Sequence, residues 1–290
     1  MKVEDLSLRA RDGMPLAATI FRPDNTTRRN SFVLITSAVG VKRTFYKKFA
    51  TYLCDQGFGV LSFDYRGIGD SRPKSLFRFK ATMSEWGEKD VAGMIDWIAA
   101  EHAHEELMVV GHSVGAQLVG LAPNNERIAA MISVAGQSGY WGLWSFPRKY
   151  LMAALWYLIV PSITPAITYF PARRLGLGED LPGGVILEWA RWCRNPNYIV
   201  DDAGNPKREH FEKFKAPILY YSFADDIYAP QPAVEHLMSF YASAHKSGRH
   251  ILPGELGLRS IGHFGFFREK MKPLLWAEAS AWLGGSHGVE

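Results

Sequence analysis

Cysteine is nearly missing from this chain. Cys54 and Cys193 are the only two thiols in 290 residues. They lie far apart, with no Cys-x-x-Cys spacing and no histidine pairing, so neither a disulfide framework nor a metal site is supported. Blocks of one charge are missing as well. Lys and Arg number 33 against 29 Asp and Glu, a formal net charge of +4, and no long basic run exists to track phosphates, so no nucleic-acid partner is expected. Lys42, Arg43, Lys47 and Lys48 do cluster on one predicted helix, and read as a solvated face because no aromatic platform accompanies them. The opening Met1-Lys2-Val3-Glu4-Asp5 has no charged leader followed by an apolar core and a small-residue cleavage site, which makes the cytoplasm the expected compartment. With 47% apolar and 21% charged residues, the chain is not a disordered one and can bury a substantial core.

What is present alternates strand and helix, the rhythm of a mainly parallel sheet with crossovers. It starts differently. Val3 to Ala10 and Leu16 to Arg22, joined by Arg11-Asp12-Gly13, read as a hairpin and predict an antiparallel edge. Strands follow at Phe32 to Ile35, Gly59 to Phe63, Leu107 to Val110 and Ile128 to Val134. Thr82-Met83-Ser84-Glu85 has capping-box spacing, and the helix after it presents Val91, Met94, Ile95 and Ile98 on one face.

The pentapeptide Gly111-His112-Ser113-Val114-Gly115 sits between the strand at Leu107 and a helix-like run from Ala116. A serine in such a strand-turn-helix takes a strained backbone, and the flanking glycines remove side chains that would collide with the neighbouring elements. Its hydroxyl is then held at the sheet's edge, where it can attack a carbonyl while the Val114 N–H faces the oxyanion that forms. The bland alternative is a glycine-rich turn capping a helix. A nucleophile elbow requires an acid and then a histidine further along. The strand-like run Ala216 to Phe223 ends in Ala224-Asp225-Asp226-Ile227-Tyr228-Ala229-Pro230, and Gly262-His263-Phe264-Gly265 follows a short strand at His250. Asp226 is preferred to Asp225 because it heads the D-x-x-x-P turn and lies one step further beyond the strand. Of the other histidines, His112 adjoins the serine and reads as support or packing, His102 and His104 sit among glutamates at a helix end, His210, His236, His245 and His250 lie on helices or at strand starts, and His287 lies in a polar tail. His263 alone has the order and the loop.

With these motifs in place the chain resembles the α/β-hydrolase superfamily over nearly its whole length, and among its members the capped serine aminopeptidase and monoacylglycerol-lipase-like group. Asp64-Tyr65-Arg66-Gly67-Ile68-Gly69-Asp70-Ser71 looks like the D-x-R-G-x-G-x-S turn of many such enzymes. The chain departs from the pattern at Thr36-Ser37-Ala38-Val39-Gly40, where the family's His-Gly oxyanion loop begins. By position the second oxyanion donor is the N–H of Ala38, with Val39 next. The resemblance implies a mainly parallel sheet flanked by helices, an antiparallel N-terminal hairpin and a helical cap inserted after the sixth strand. Residues 1–136 and 209–290 would form the core and 137–208 the cap.

The segment between the sixth strand and Ala216 is rich in tryptophan, at Trp141, Trp144, Trp156, Trp189 and Trp192. From Tyr150 to Pro171 it carries no charge. Hydropathy alone makes the run Leu151 to Val160 a candidate span, but Pro161, Pro165 and Pro171 are expected to break it into a short helix and turns, too short to cross a bilayer. A cap over the serine, with an uncharged aromatic wall for an acyl group, is preferred to lid-like contact with a membrane or lipid surface. In the blander reading, these aromatics simply hold the cap together.

The chemistry then reads as follows. His263 takes the Ser113 proton, Ser113 attacks the carbonyl, Val114 and Ala38 N–H groups hold the oxyanion, Asp226 orients His263, and water hydrolyses the acyl-enzyme. No metal or organic cofactor is needed, and a small apolar ester is the expected partner. An acyltransferase or thioesterase could use the same three residues. An amino-terminal peptidase would need cap carboxylates to hold an amine, and Glu179-Asp180 and Asp201-Asp202 are the adjacent acidic pairs there. A non-catalytic binding protein on the same fold is the remaining reading.

Overall fold

The structure, a computed structural model, describes residues 1–24 and 28–285; His287 lies outside the described residues. Strands β1 (Lys2–Arg9) and β2 (Pro15–Arg22) form the expected hairpin, with Leu8 opposite Leu16. β3 (Ser31–Thr36), β4 (Gly59–Phe63), β5 (Glu106–His112) and β6 (Ala130–Val134) follow. A small two-stranded piece, β7 (Tyr169–Phe170) and β8 (Leu181–Pro182), precedes β9 (Ile218–Phe223) and β10 (Lys246–Ile251). The main sheet runs β1-β2-β4-β3-β5-β6-β9-β10. It is antiparallel as far as the β2–β4 pair and parallel from there on.

The central strands are predominantly apolar and almost wholly buried because helices cover both faces, so neither face meets water. Register sets Leu34 beside Leu61 on one side and Val109 on the other, all fully buried. The Thr82–Glu85 capping box forms as its spacing predicts, and the helix Ala92–Glu101 beyond it buries Met94, Ile95 and Ile98. Parallel strands all point their C-terminal ends the same way. The turns after β3, β5, β6, β9 and β10 therefore meet along one rim, where α/β sheets bind ligands.

Behind that rim the Asp64 turn is an electrostatic brace. The buried Asp64 carboxylate accepts from Arg43 N at 2.7 Å, Arg43 Nη1 at 2.5 Å and Asp70 N at 3.0 Å. Arg43 is accordingly buried, at 6% exposure, and does not belong to the solvated helix face assigned to it from sequence. A buried carboxylate without a partner is costly, and Arg43 is the cation that meets it. Arg66 does the same for Asp90, through its Nε at 2.7 Å, and for Asp12, through two hydrogen bonds of 2.8 and 3.0 Å.

After β6 the chain leaves the sheet. Pro161 and Pro165 do not break the apolar run: Arg148–Ile167 is one continuous helix of 20 residues, long and apolar enough to cross a membrane by those criteria alone. The turns over Leu155–Ile159 widen to π-helical spacing immediately before Pro161, which makes room for a ring that cannot donate an N–H. Pro165 falls in the last turn, and Thr168 ends the helix in the left-handed region at φ 64°. A second helix, Gly183–Arg194, packs beside it, with Trp156 and Trp189 edge to face at 5.0 Å.

Candidate active site

Ser113 occupies the turn between β5 and the helix Val114–Val119 with φ 53° and ψ −120°, a conformation that costs about 1 to 3 kcal/mol and persists where the surroundings enforce it. They do so here through close packing. A Cβ on Gly115 would lie 2.1 Å from the Thr36 carbonyl oxygen, and one on Gly111 would lie 2.7 Å from Ala116 Cα. Both glycines are thus required by the approach of elbow, helix and β3. The serine is 3% exposed, and its Oγ donates to Gln137 Oε1 at 3.5 Å.

The acid and the histidine meet as the chain order suggests. His263 Nδ1 donates to Asp226 Oδ2 at 2.7 Å. A carboxylate only accepts, so the ring proton sits on Nδ1 and leaves Nε2 as the basic nitrogen. Asp226 Oδ1 is fixed in turn by the N–H groups of Tyr228 at 2.8 Å and Ala229 at 3.0 Å. The neighbouring Asp225 does something else. Its carboxylate accepts from Ile261 N at 2.8 Å and Gly262 N at 3.0 Å, tying down the loop that carries His263. The other histidines have other partners: His102 pairs with Glu105, and His250 with Ser222.

The Ala38 N–H placed first among second oxyanion donors is occupied. It donates to the buried Tyr46 hydroxyl at 2.8 Å. Ala38 and Val39, the next in order, both line the cavity over Ser113. No local pattern announces this, because Tyr46 approaches from a different helix-forming segment. Gln137, in the loop three residues beyond the end of β6, also faces the serine, and the C-terminal ends of central parallel strands are where such residues gather.

Ser113 and His263 open into one cavity of about 240 Å³. Its walls come from Val39 and Val41, from Trp144 and Trp189, and from the inward face of the Arg148–Ile167 helix through Met152, Leu155, Trp156 and Val160. Among the described residues none of the lining side chains is Asp, Glu, Lys or Arg. Both acidic pairs considered as amine holders are engaged elsewhere. Glu179 binds Arg173, Asp180 accepts from Arg173 N, Asp201 caps Asn205 and Asp202 meets Arg191.

This arrangement of sheet, elbow and rim is that of an α/β-hydrolase-fold serine hydrolase. The model of the family described as serine aminopeptidase, S33, matches residues 28–175, more than half of the chain, and the protein belongs to that family. No curated protein shows significant similarity. Among solved structures, a soluble variant of monoglyceride lipase from Saccharomyces cerevisiae, in complex with a substrate analog, superposes with TM-score 0.74 at 15% identity, covering 100% of this chain and 97% of that one. The esterase EaEST from Exiguobacterium antarcticum gives TM-score 0.63 at 13% identity, with 97% and 100% covered. XC6422 from Xanthomonas campestris, a serine hydrolase without a lid, gives 0.54 at 13%, with 99% and 97% covered.

Proposed function

We propose that this enzyme hydrolyses carboxylic esters with an apolar acyl or alcohol group through an acyl-enzyme on Ser113. His263 Nε2 serves as base and then as acid, and Asp226 holds the ring in the required tautomer. The oxyanion is met by the N–H of Val114 and, with Ala38 committed to Tyr46, by that of Val39. Residues 137–208 act as the cap. The observation that carries this reading is the single uncharged cavity shared by Ser113 and His263. An apolar chain is stabilised there by about 25 cal/mol per Å² buried, whereas the ammonium of a peptide N-terminus would find no counter-charge. The similar monoglyceride lipase and esterases are in keeping with an ester substrate.

The cap helix has a second, outward face on which Leu151 and Leu158 are 68% and 65% exposed beside Tyr150 and Tyr157. Arg148 and Lys149 open the helix, and no acid follows before its end. Such a face fits transient seating on a lipid surface, with the helix lying in the interface. The compartment expected for the enzyme itself is the cytoplasm.

A fluorophosphonate probe should label the wild-type protein and not Ser113→Ala, and ester turnover should exceed turnover of a matched thioester or dipeptide amide. Labelling that survives in Ser113→Ala would refute the assignment of the nucleophile.

A further inference from the structure

His112, next to the serine, is fully buried and joined at both ring nitrogens. Nε2 lies 2.9 Å from the main-chain oxygen of His263, and Nδ1 lies 2.8 Å from the Tyr46 hydroxyl. The directions of these bonds are forced. A carbonyl oxygen can only accept, so Nε2 carries the proton. Burial holds the ring's pKa well below its ordinary value, with the charge of His263 adding to the effect, so the ring is neutral and Nδ1 is bare. The Tyr46 hydroxyl must then donate to Nδ1, which leaves its oxygen to accept the Ala38 N–H at 2.8 Å. One unbroken path therefore runs from Ala38 N–H through Tyr46 O–H and the His112 ring to the His263 carbonyl. It begins in the loop after β3, ends in the loop after β10, and is anchored on the last residue of β5, the strand that delivers Ser113.

We infer that neutral His112, in its Nε2–H tautomer, and Tyr46 form a positioning pair that holds the oxyanion loop and the main chain of His263 in fixed register with Ser113. This rests on the reaction proposed above and adds to it. His112 and Tyr46 touch no substrate; neither is among the residues lining the cavity. They act by fixing Ala38, whose conformation aims the following Val39 N–H, and by fixing the main-chain oxygen of the residue whose ring moves the proton. Tyr46 is itself wedged edge to face against Phe45 and Phe267 at 5.1 and 4.8 Å, so its hydroxyl has little freedom. A chain of this kind also has no spare member: adding a proton to His112 Nδ1 replaces the acceptor of the Tyr46 O–H with a second donor and breaks the path at its centre.

Two measurements test this. In the first, nitrogen-15 NMR of histidine-labelled protein should show one ring that keeps a protonated Nε2 and a bare Nδ1 from pH 5 to pH 9, and whose signals are absent from His112→Asn. A His112 ring that titrates in that range, or that carries its proton on Nδ1, would overturn the inference whether or not the protein is an esterase. The second compares Tyr46→Phe, which keeps the ring packing and removes only the hydroxyl, with wild type on a soluble ester, at a temperature where both are folded. Misplacing reacting groups by about 1 Å costs roughly 10²-fold, so kcat should fall by about 10- to 100-fold while KM changes by less than about threefold. His112→Asn, which keeps an acceptor for Tyr46, should retain more activity than His112→Leu. If Tyr46→Phe turns over at the wild-type kcat, the pair is merely structural and the inference fails alone. If the wild-type serine does not acylate at all, the proposed function fails and this inference goes with it.

Discussion

Asp226 and Asp225 are adjacent carboxylates with different duties, and exchanging each for asparagine separates them. In Asp226→Asn the side chain has one acceptor oxygen where there were two. The Oδ1 position receives two N–H groups, from Tyr228 and Ala229, and the Oδ2 position receives one, from His263. The amide oxygen should therefore stay with the two main-chain donors, which turns the NH₂ group toward His263 Nδ1. A donor facing a donor is untenable, so the imidazole moves its proton to Nε2, where it can no longer accept one from Ser113. A wrong-tautomer histidine of this kind loses on the order of 10⁴-fold in kcat, about 5 kcal/mol of transition-state stabilisation. In Asp225→Asn the oxygen can still accept one of the N–H groups of Ile261 and Gly262. The other hydrogen bond to the loop is lost and the NH₂ must turn away from that N–H, a cost of about 1 to 2 kcal/mol borne by the loop and not by the tautomer of His263, so turnover should fall by roughly tenfold or less. Hydrolysis of a chromogenic ester from pH 6 to 9 reads both. Equal losses in the two variants would refute the argument, and so would an Asp226→Asn enzyme within about tenfold of wild type.

Other outcomes follow from the same geometry. Gly115→Ala places a methyl group 2.1 Å from the Thr36 carbonyl oxygen, a clash with main chain that no rotamer relieves; chemical denaturation should show a loss at or above about 3 kcal/mol, and an unchanged midpoint would contradict the packing of the elbow. Hydrogen bonds from Arg66 hold the Asp12 carboxyl down at about 2. A depressed carboxylate pKa stabilises the fold above the unfolded value near 4, and that contribution is lost as pH falls from about 4 to about 2. Because Asp12 is a third exposed, screening reduces it to about 1 kcal/mol, and Asp12→Asn should flatten the acid limb of the stability curve by that amount. Replacing Leu151 and Leu158 together with glutamate should weaken co-sedimentation with phospholipid vesicles tenfold or more, at roughly 1 to 2 kcal/mol per leucine, while leaving hydrolysis of a soluble ester unchanged; equal binding by wild type and variant would remove the lipid-seating proposal.

The parts of the molecule legible in the sequence are those whose causes are local. The hairpin, the capping box at Thr82 and the elbow glycines each depend on residues a few positions apart, and strand-end placement sufficed to single out Asp226 and His263 as neighbours. What escaped depends on distant partners. Ala38 looked available because nothing nearby shows that Tyr46 takes its N–H, and Arg43 looked solvated because Asp64, its partner, belongs to another strand's turn. The prolines misled for a different reason. Proline breaks a regular α-helix, but the widened turn at Leu155–Ile159 is an irregularity that propensity does not describe.

That widened turn leaves a single rod, Arg148–Ile167, answering to two solvents at once. Met152, Leu155, Trp156 and Val160 are constrained by the shape of whatever the cavity holds, and Tyr150, Leu151, Tyr157 and Leu158 by whatever lies outside. Inward and outward positions are interleaved within single turns, so a rigid shift of the rod must also reshape the cavity wall. Exchanging an outward residue such as Leu151 or Leu158 in place leaves those four inward side chains where they are, whereas moving the rod as a body carries both sets with it.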